Sequence, residues 1–178
     1  MGWVAPTATM KRDFLLHRRL RWLTALFIFG LFISGVTALP LRSEVDGLHR
    51  LLGWSGPSAT AVSTWIAKVD QGLQDTETRF PFLFYGTDWL AFGHFVIALA
   101  FVGAWRDPVR NRWLFDFGLL ACALVIPYAV VFGALRGIPG WWRMVDCSFG
   151  VLGALPLWFC RRWALELECK HPATEPPG

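Results

Sequence analysis

Four long apolar stretches divide this chain, and they constrain its fold more than any other feature. Each is close to the ~20 helical residues that cross the ~30 Å hydrocarbon core of a bilayer. A backbone inside that core must satisfy its own hydrogen bonds, so we expect these stretches to be α-helices. The predicted fold class is all-α: an integral membrane four-helix bundle that forms a single membrane domain over residues 1–178. The predicted spans are residues 22–41, 86–105, 113–135 and 141–160.

The composition agrees with a membrane protein. Of the 178 residues, 54% are hydrophobic, 11 are Trp and only 17% are charged, whereas a soluble domain carries about a quarter of charged residues. The net charge of +4 is dispersed along the chain, which excludes a nucleic-acid footprint. The four cysteines lack the clustered spacing of metal ligands or of a disulfide framework, so no metal or cofactor is predicted.

The first span has an alternative interpretation as a signal peptide. Val36, Thr37 and Ala38 resemble a small-residue cleavage site. A retained membrane anchor is the preferred interpretation, because 21 residues precede the apolar run and the run itself is long enough to cross a bilayer.

The basic residues predict the orientation. They concentrate in alternate connections, and the excess of Lys and Arg marks the cytoplasmic side. This places both termini in the cytoplasm, with residues 161–178 as a cytoplasmic tail and residues 42–85 outside. Eleven of the 17 basic residues then lie inside: Lys11, Arg12, Arg18, Arg19, Arg21, Arg106, Arg110, Arg112, Arg161, Arg162 and Lys170.

The segment of residues 42–85 contains one stretch with helical periodicity. Its apolar residues recur on one face while polar residues fill the other, which predicts an amphipathic extracytoplasmic helix that lies on the outer surface or caps the bundle. The apolar positions are Val62, Trp65, Ile66, Val69 and Leu73.

The fourth span predicts charges below the membrane surface. Only 14 residues separate Asp146 from Arg161, or about 21 Å of helix, which is too short to cross the ~30 Å core. We therefore expect the helix to begin near Trp141. Arg143 and Asp146 then lie in its first turns, three residues apart and on one face.

Five ionisable residues are thereby predicted in the outer half of the bundle. Intramembrane charges are costly, and they usually face the interior of a bundle or a water-filled cavity. The functional interpretation is a shallow polar pocket for an anionic or zwitterionic head group. The alternative is that Arg143–Asp146 and Asp88–Arg136 are structural ion pairs. The five residues are Asp88, His94, Arg136, Arg143 and Asp146.

Three tryptophans accompany this cluster: Trp89, Trp141 and Trp142. They are candidates for an aromatic rim around the pocket. The alternative is that they anchor the helices at the interface, where the amphipathic indole ring is favoured.

The order of these residues resembles the VanZ-like family of small bacterial membrane proteins. The resemblance covers residues 85–160 and rests on Asp88, His94, Pro139-Gly140, Arg143, Asp146, Gly150 and Gly153. The chain departs from the family pattern in its longer Asp-to-His spacing, and Cys147 stands where the family has Asn. The chain is also similar to uncharacterised bacterial four-helix proteins with GTDWLAFGH-like and WWRMVDCSFG-like stretches. These resemblances imply a multi-pass protein of the bacterial inner membrane and supply no reaction.

Three functional hypotheses follow. The first is an envelope protein whose polar cluster contacts a lipid or glycolipid head group. The second is a small transporter, for which helices broken at Pro127 and Pro156 would be suited. The third is a scaffold or assembly subunit that binds a membrane-protein partner through residues 42–85. No catalytic motif favours an enzyme, although Asp88 and His94 could act in acid–base chemistry if a neighbouring helix joined them.

Overall fold

The computed structural model describes residues 8–52 and 60–170, and this part of the chain is all-helical without any strand. Four of its helical segments are long and apolar enough to cross a membrane. The chain is therefore a multi-pass helical membrane protein, as its apolar stretches predict. The elements are α1 (Ala8–Ala38), α2 (Leu41–Leu52), α3 (Ala61–Arg79), a 3-10 turn (Pro81–Phe84), α4 (Tyr85–Arg106), α5 (Arg112–Leu135) and α6 (Gly140–Lys170).

Two of the helices, α1 and α6, differ from their predicted spans by more than one residue at an end. Helix α1 begins far before residue 22 and ends at Ala38, because Pro40 lacks an amide donor and disfavours helical geometry at the residue before it. Helix α6 begins at Gly140, close to the predicted start, but continues to Lys170. Residues 161–170, predicted as part of a tail, are therefore helical, and residues 171–178 lie outside the described part.

Neither helix is broken at its proline, although breaks at Pro127 and Pro156 would have suited a transporter. Helix α5 runs without interruption through Pro127, and α6 runs through Pro156. A proline removes only one amide donor from the helical ladder, and neighbouring helices in a membrane protein can tolerate that loss. The two helices pack against each other, and this packing supports each helix at its proline.

The segment between α1 and α4 contains two helices where the sequence predicted one. The predicted amphipathic helix is α3, in which Ile66 is buried and the Thr60 side chain caps the first turn by accepting from the Ser63 amide at 3.3 Å. The unpredicted helix is α2, which packs against α3. An ion pair between Arg42 and Glu77 joins the two helices.

The chain divides into two compact units. The first unit comprises residues 1–29 and 98–178, and the second comprises residues 30–97. In the first unit, the four spans all contribute to one buried cluster. It consists of Leu16, Leu20, Phe101, Ala104, Leu114, Phe115, Leu157, Cys160, Ala164 and Leu167.

Helices α1 and α6 lie side by side and antiparallel in the first unit. The Thr24 hydroxyl donates to the Leu20 carbonyl at 2.9 Å and lies 3.7 Å from the Cys160 sulfur. This buried polar contact satisfies the hydroxyl inside the apolar cluster. Cys160 is thus a packing residue, as the spacing of the cysteines predicts.

Glycines bring α5 and α6 into close contact. A Cβ atom at Gly150 would lie 2.6 Å from the carbonyl oxygen of Cys122, and one at Gly118 would lie 2.7 Å from a methyl carbon of Leu157. Small residues at such positions let two helix backbones approach closely and gain van der Waals contact in lipid. Helices α5 and α6 are therefore a tightly packed antiparallel pair, with close contacts at Gly150 and at Gly118.

Replacing Gly150 with Ala tests this packing. We expect the free energy of unfolding in detergent to fall by about 1–3 kcal/mol, because the new methyl group meets the Cys122 backbone, which cannot rotate away. The matched control is Gly30→Ala, where nothing lies within 4 Å of the added carbon. There we expect unchanged or slightly higher stability, since Ala favours the helix. Equal losses in the two variants, measured by denaturant titration, would contradict the role of Gly150.

Candidate functional site

The turn between α5 and α6 is built by a helix-terminating motif. Arg136 is the C-cap of α5, and Gly137 follows it with φ +70°, a left-handed conformation that favours glycine. The Ile138 amide donates to the Gly133 carbonyl at 2.8 Å, and the Gly137 amide donates to the Ala134 carbonyl at 3.1 Å. These bonds satisfy carbonyls that the helix end would leave free and reverse the chain into α6.

Arg143, in the first turns of α6, reaches across to α5. Its aliphatic stem lies on Gly133, where an added Cβ would be only 2.6 Å from the Arg143 Cδ atom. One terminal nitrogen, Nη1, donates to the Val130 carbonyl at 3.2 Å. Because Gly133 has no side chain, it leaves the space that the half-buried Arg143 side chain occupies.

The Arg143 guanidinium has few hydrogen-bond or ion-pair partners among the described residues of the first unit. Its Nε atom is buried and has no hydrogen-bond partner among the described residues. Asp146 is half-buried on the same helix, but it forms neither an ion pair nor a hydrogen bond with Arg143. The ion pair between these two residues, considered as a structural alternative, is therefore not formed.

The residues that flank Arg143 along α6 are aromatic and apolar. Trp141 and Trp142 are half-buried, and their rings meet edge to face with centroids 5.4 Å apart. Deeper along α6, the buried Cys147 sulfur lies 3.9 Å from the Ile126 carbonyl. Arg136 is exposed and forms no ion pair with a described residue of the first unit. Arg143 is thus the charged group that the hairpin itself seats between its helices.

The other predicted site residues belong to the second unit. Asp88 is exposed in the first turn of α4, and the exposed Trp89 packs edge to face against Tyr85 and Phe92. A carboxylate in a first helical turn complements the helix dipole. In this position Asp88 stabilises α4 independently of any role in binding.

His94 is half-buried, and its Nδ1 atom lies 2.8 Å from the Leu90 carbonyl oxygen. Because a carbonyl oxygen only accepts, Nδ1 is the donor in this contact. Asp88 and His94 form no hydrogen bond or ion pair with each other among the described contacts. The five predicted residues are thus divided between the units, and their convergence into one pocket stays a prediction.

A second group of charges lies at the opposite end of the first unit, and sequence reasoning missed its pairing. Asp116 of α5 pairs with Arg161 of α6. Three further pairs lie at the same end: Arg112–Glu168 at 3.6 Å, Arg12–Glu166 at 2.7 Å and Lys170–Asp13 at 2.9 Å. The prediction treated residues after 160 as a tail, whereas the continuous α6 presents their carboxylates and amine to α1 and α5.

Comparisons with protein-family models, with curated proteins and with solved structures find no match to this chain. The VanZ-like relationship therefore stays a prediction based on residues 85–160. The arrangement of Arg143 between α5 and α6 is the observation from which a function is best inferred.

A double-mutant cycle on Asp116 and Arg161 tests the pairing at the other end. We expect Asp116→Asn and Arg161→Gln each to lower stability by roughly 1 kcal/mol or less, because both side chains are partly exposed. The double variant should lose less stability than the sum of the two single losses, since each single variant already removes the ion pair. Arg162→Gln is the control, because Arg162 lies over the Trp158 ring rather than on a carboxylate. Additive losses in denaturant titrations would show that the pair contributes nothing.

Proposed function

We propose that this protein is a multi-pass protein of the bacterial cell envelope that binds the anionic head group of a lipid or glycolipid through Arg143. The observation that carries the proposal is a half-buried arginine whose guanidinium has one hydrogen-bond partner, the Val130 carbonyl, among the described residues of the first unit. Asp88 and His94 stay candidates to join this site, as the sequence predicts, and Trp141 and Trp142 would form its aromatic rim.

The energetics of arginine favour a bound anion. A guanidinium carries five N–H donors and cannot lose its charge in a protein. Arg143 places one hydrogen bond on a neutral carbonyl and leaves Nε without a partner. A charged group near the membrane is costly unless it is paired or reaches water. A phosphate or carboxylate would accept the remaining donors in the planar, two-pronged geometry that arginine favours.

The position of Arg143 along α6 agrees with a head-group site. Arg143 and Arg161 are 18 residues apart in the sequence, which is about 27 Å of helix and close to the ~30 Å thickness of the hydrocarbon core. Asp146 is the single charged residue between them. Arg143 would then lie near one membrane interface, where phosphates of lipids and glycolipids are found. The basic excess at the other end makes this the outer leaflet.

A transporter has less support than a head-group site. In the first unit, the three side chains Phe101, Phe115 and Leu157, near the Asp116–Arg161 pair, are apolar and fully buried. Broken helices at a central binding site are typical of many transporters, and α5 and α6 are continuous through their prolines. A continuous polar path is therefore not favoured within this unit.

Lipid retention in Arg143 variants tests the proposal. Purified protein would be equilibrated with phosphatidylglycerol, phosphatidylcholine or a polyprenyl phosphate, and bound molecules counted by native mass spectrometry. We expect Arg143→Gln to weaken retention of one anionic species about 10- to 100-fold, because hydrogen bonds between charged groups are worth about 1.5–3 kcal/mol. Retention by Arg143→Lys should lie between that of the unaltered protein and that of Arg143→Gln, since lysine keeps the charge but lacks the planar guanidinium.

Arg136 belongs to the predicted cluster, but it is exposed rather than held between the helices, and the proposed site does not include it. Arg136→Gln is therefore the matched control, because it removes one arginine from the same turn. We expect this variant to retain the anionic species as the unaltered protein does. An equal loss in both variants would indicate a general effect of charge and contradict a site at Arg143. Unchanged retention in Arg143→Gln, with a lower melting temperature, would assign Arg143 to hairpin stability.

A further inference from the structure

A second basic surface lies at the opposite end of the first unit from Arg143. A groove of about 380 Å³ is lined by Arg18, Arg19, Trp22, Leu23 and Trp163. Its walls are α1 and α6, which the buried contacts around Cys160 hold side by side. The groove therefore belongs to the packed part of the unit, although its two arginines are exposed.

The two arginines of the groove differ from most basic residues around them. Arg12, Arg112, Arg161 and Lys170 each form an ion pair with a carboxylate. Arg21 donates to the Arg106 carbonyl at 3.3 Å and lies over the Trp105 ring. Within the described residues of the first unit, Arg18 and Arg19 form no ion pair and no side-chain hydrogen bond. The groove thus carries two positive charges that no carboxylate in the described part of the first unit pairs with.

The exposed face of α1 that borders the groove changes character along its length. Arg18, Trp22, Leu26 and Phe29 recur at helical spacing on one side, and all four are exposed. On α6, the Trp163 ring packs on Phe159 with centroids 5.7 Å apart. Moving toward the membrane, the surface is therefore first cationic, then aromatic, then apolar. A glycerophospholipid has the matching order of phosphate, ester-linked glycerol and acyl chains.

We propose that this groove binds one anionic phospholipid of the leaflet that faces the basic end of the protein. Arg18 and Arg19 bind the phosphate, the indoles of Trp22 and Trp163 contact the glycerol region, and an acyl chain lies along Leu26 and Phe29. Basic pockets between transmembrane helices are suited to such head groups. This site is separate from Arg143, which lies about 27 Å along α6 from Arg161.

The test compares two double variants that each remove two positive charges from the same end. Arg18→Gln/Arg19→Gln alters the groove, whereas Arg106→Gln/Arg110→Gln removes two exposed arginines that do not line it. Phosphatidylglycerol and phosphatidylcholine would be titrated into delipidated protein in detergent and bound lipid counted by native mass spectrometry. We expect the groove variant to bind one phosphatidylglycerol about 20- to 30-fold more weakly, since each arginine near an anionic surface contributes roughly fivefold. The control variant should bind it normally.

Trp22→Leu keeps both arginines and therefore keeps the charges that guide membrane insertion. We expect it to weaken phosphatidylglycerol binding several-fold while leaving the yield of folded protein unchanged, so the test does not depend on how well the Gln variant inserts. An equal loss of binding in the Arg106/Arg110 control, or equal retention of phosphatidylcholine and phosphatidylglycerol, would overturn the proposal. Displacement of the lipid by millimolar inorganic phosphate would show that free phosphate is the occupant and would overturn it as well.

Discussion

The close packing of α5 on α6 is the contact on which the first unit depends. Gly150 lies against the Cys122 carbonyl, and a side chain there would separate the two backbones. Lipid provides no hydrophobic drive to hold helices together, so such van der Waals contact must supply much of their association. The same contact fixes the register of the hairpin. That register seats Arg143 on Gly133 at one end and brings Arg161 to Asp116 at the other.

The register has opposite electrostatic consequences at the two ends. At the Asp116 end, four carboxylates each pair with a cation from another helix, and the pairs link α1, α5 and α6. At the turn end, the one hydrogen bond of the Arg143 guanidinium to a described residue of the first unit is to the Val130 carbonyl. Ion pairs in partly exposed positions contribute little to stability, so the first arrangement adds little to the register that the glycine contact sets. The second leaves a cation whose donors suit an external anion.

Sequence periodicity predicted the four spans, the helix α3 and the start of α6, because each depends on local hydrophobic pattern and length. It did not predict the end of α6. The stretch from Arg161 to Lys170 alternates charged and apolar residues, and its helix is supported by contacts with Asp13, Asp116 and Arg112, which lie far away in the sequence.

The separation of Arg143 from Asp146 shows why the site itself was less predictable than the fold. Spacing of three residues puts both side chains on one helical face, but each can contact its partner helix instead. Gly133 offers Arg143 a space on α5, and the adjacent carbonyl of Val130 accepts a hydrogen bond there.

That outcome depends on which α5 residue lies opposite Arg143, a tertiary property set by the Gly150 contact. The packing at Gly150 therefore also directs Arg143 away from Asp146, its nearest carboxylate in the sequence. A cation directed in this way lacks a neighbouring anion, which is the physical basis of the proposed head-group site at this turn.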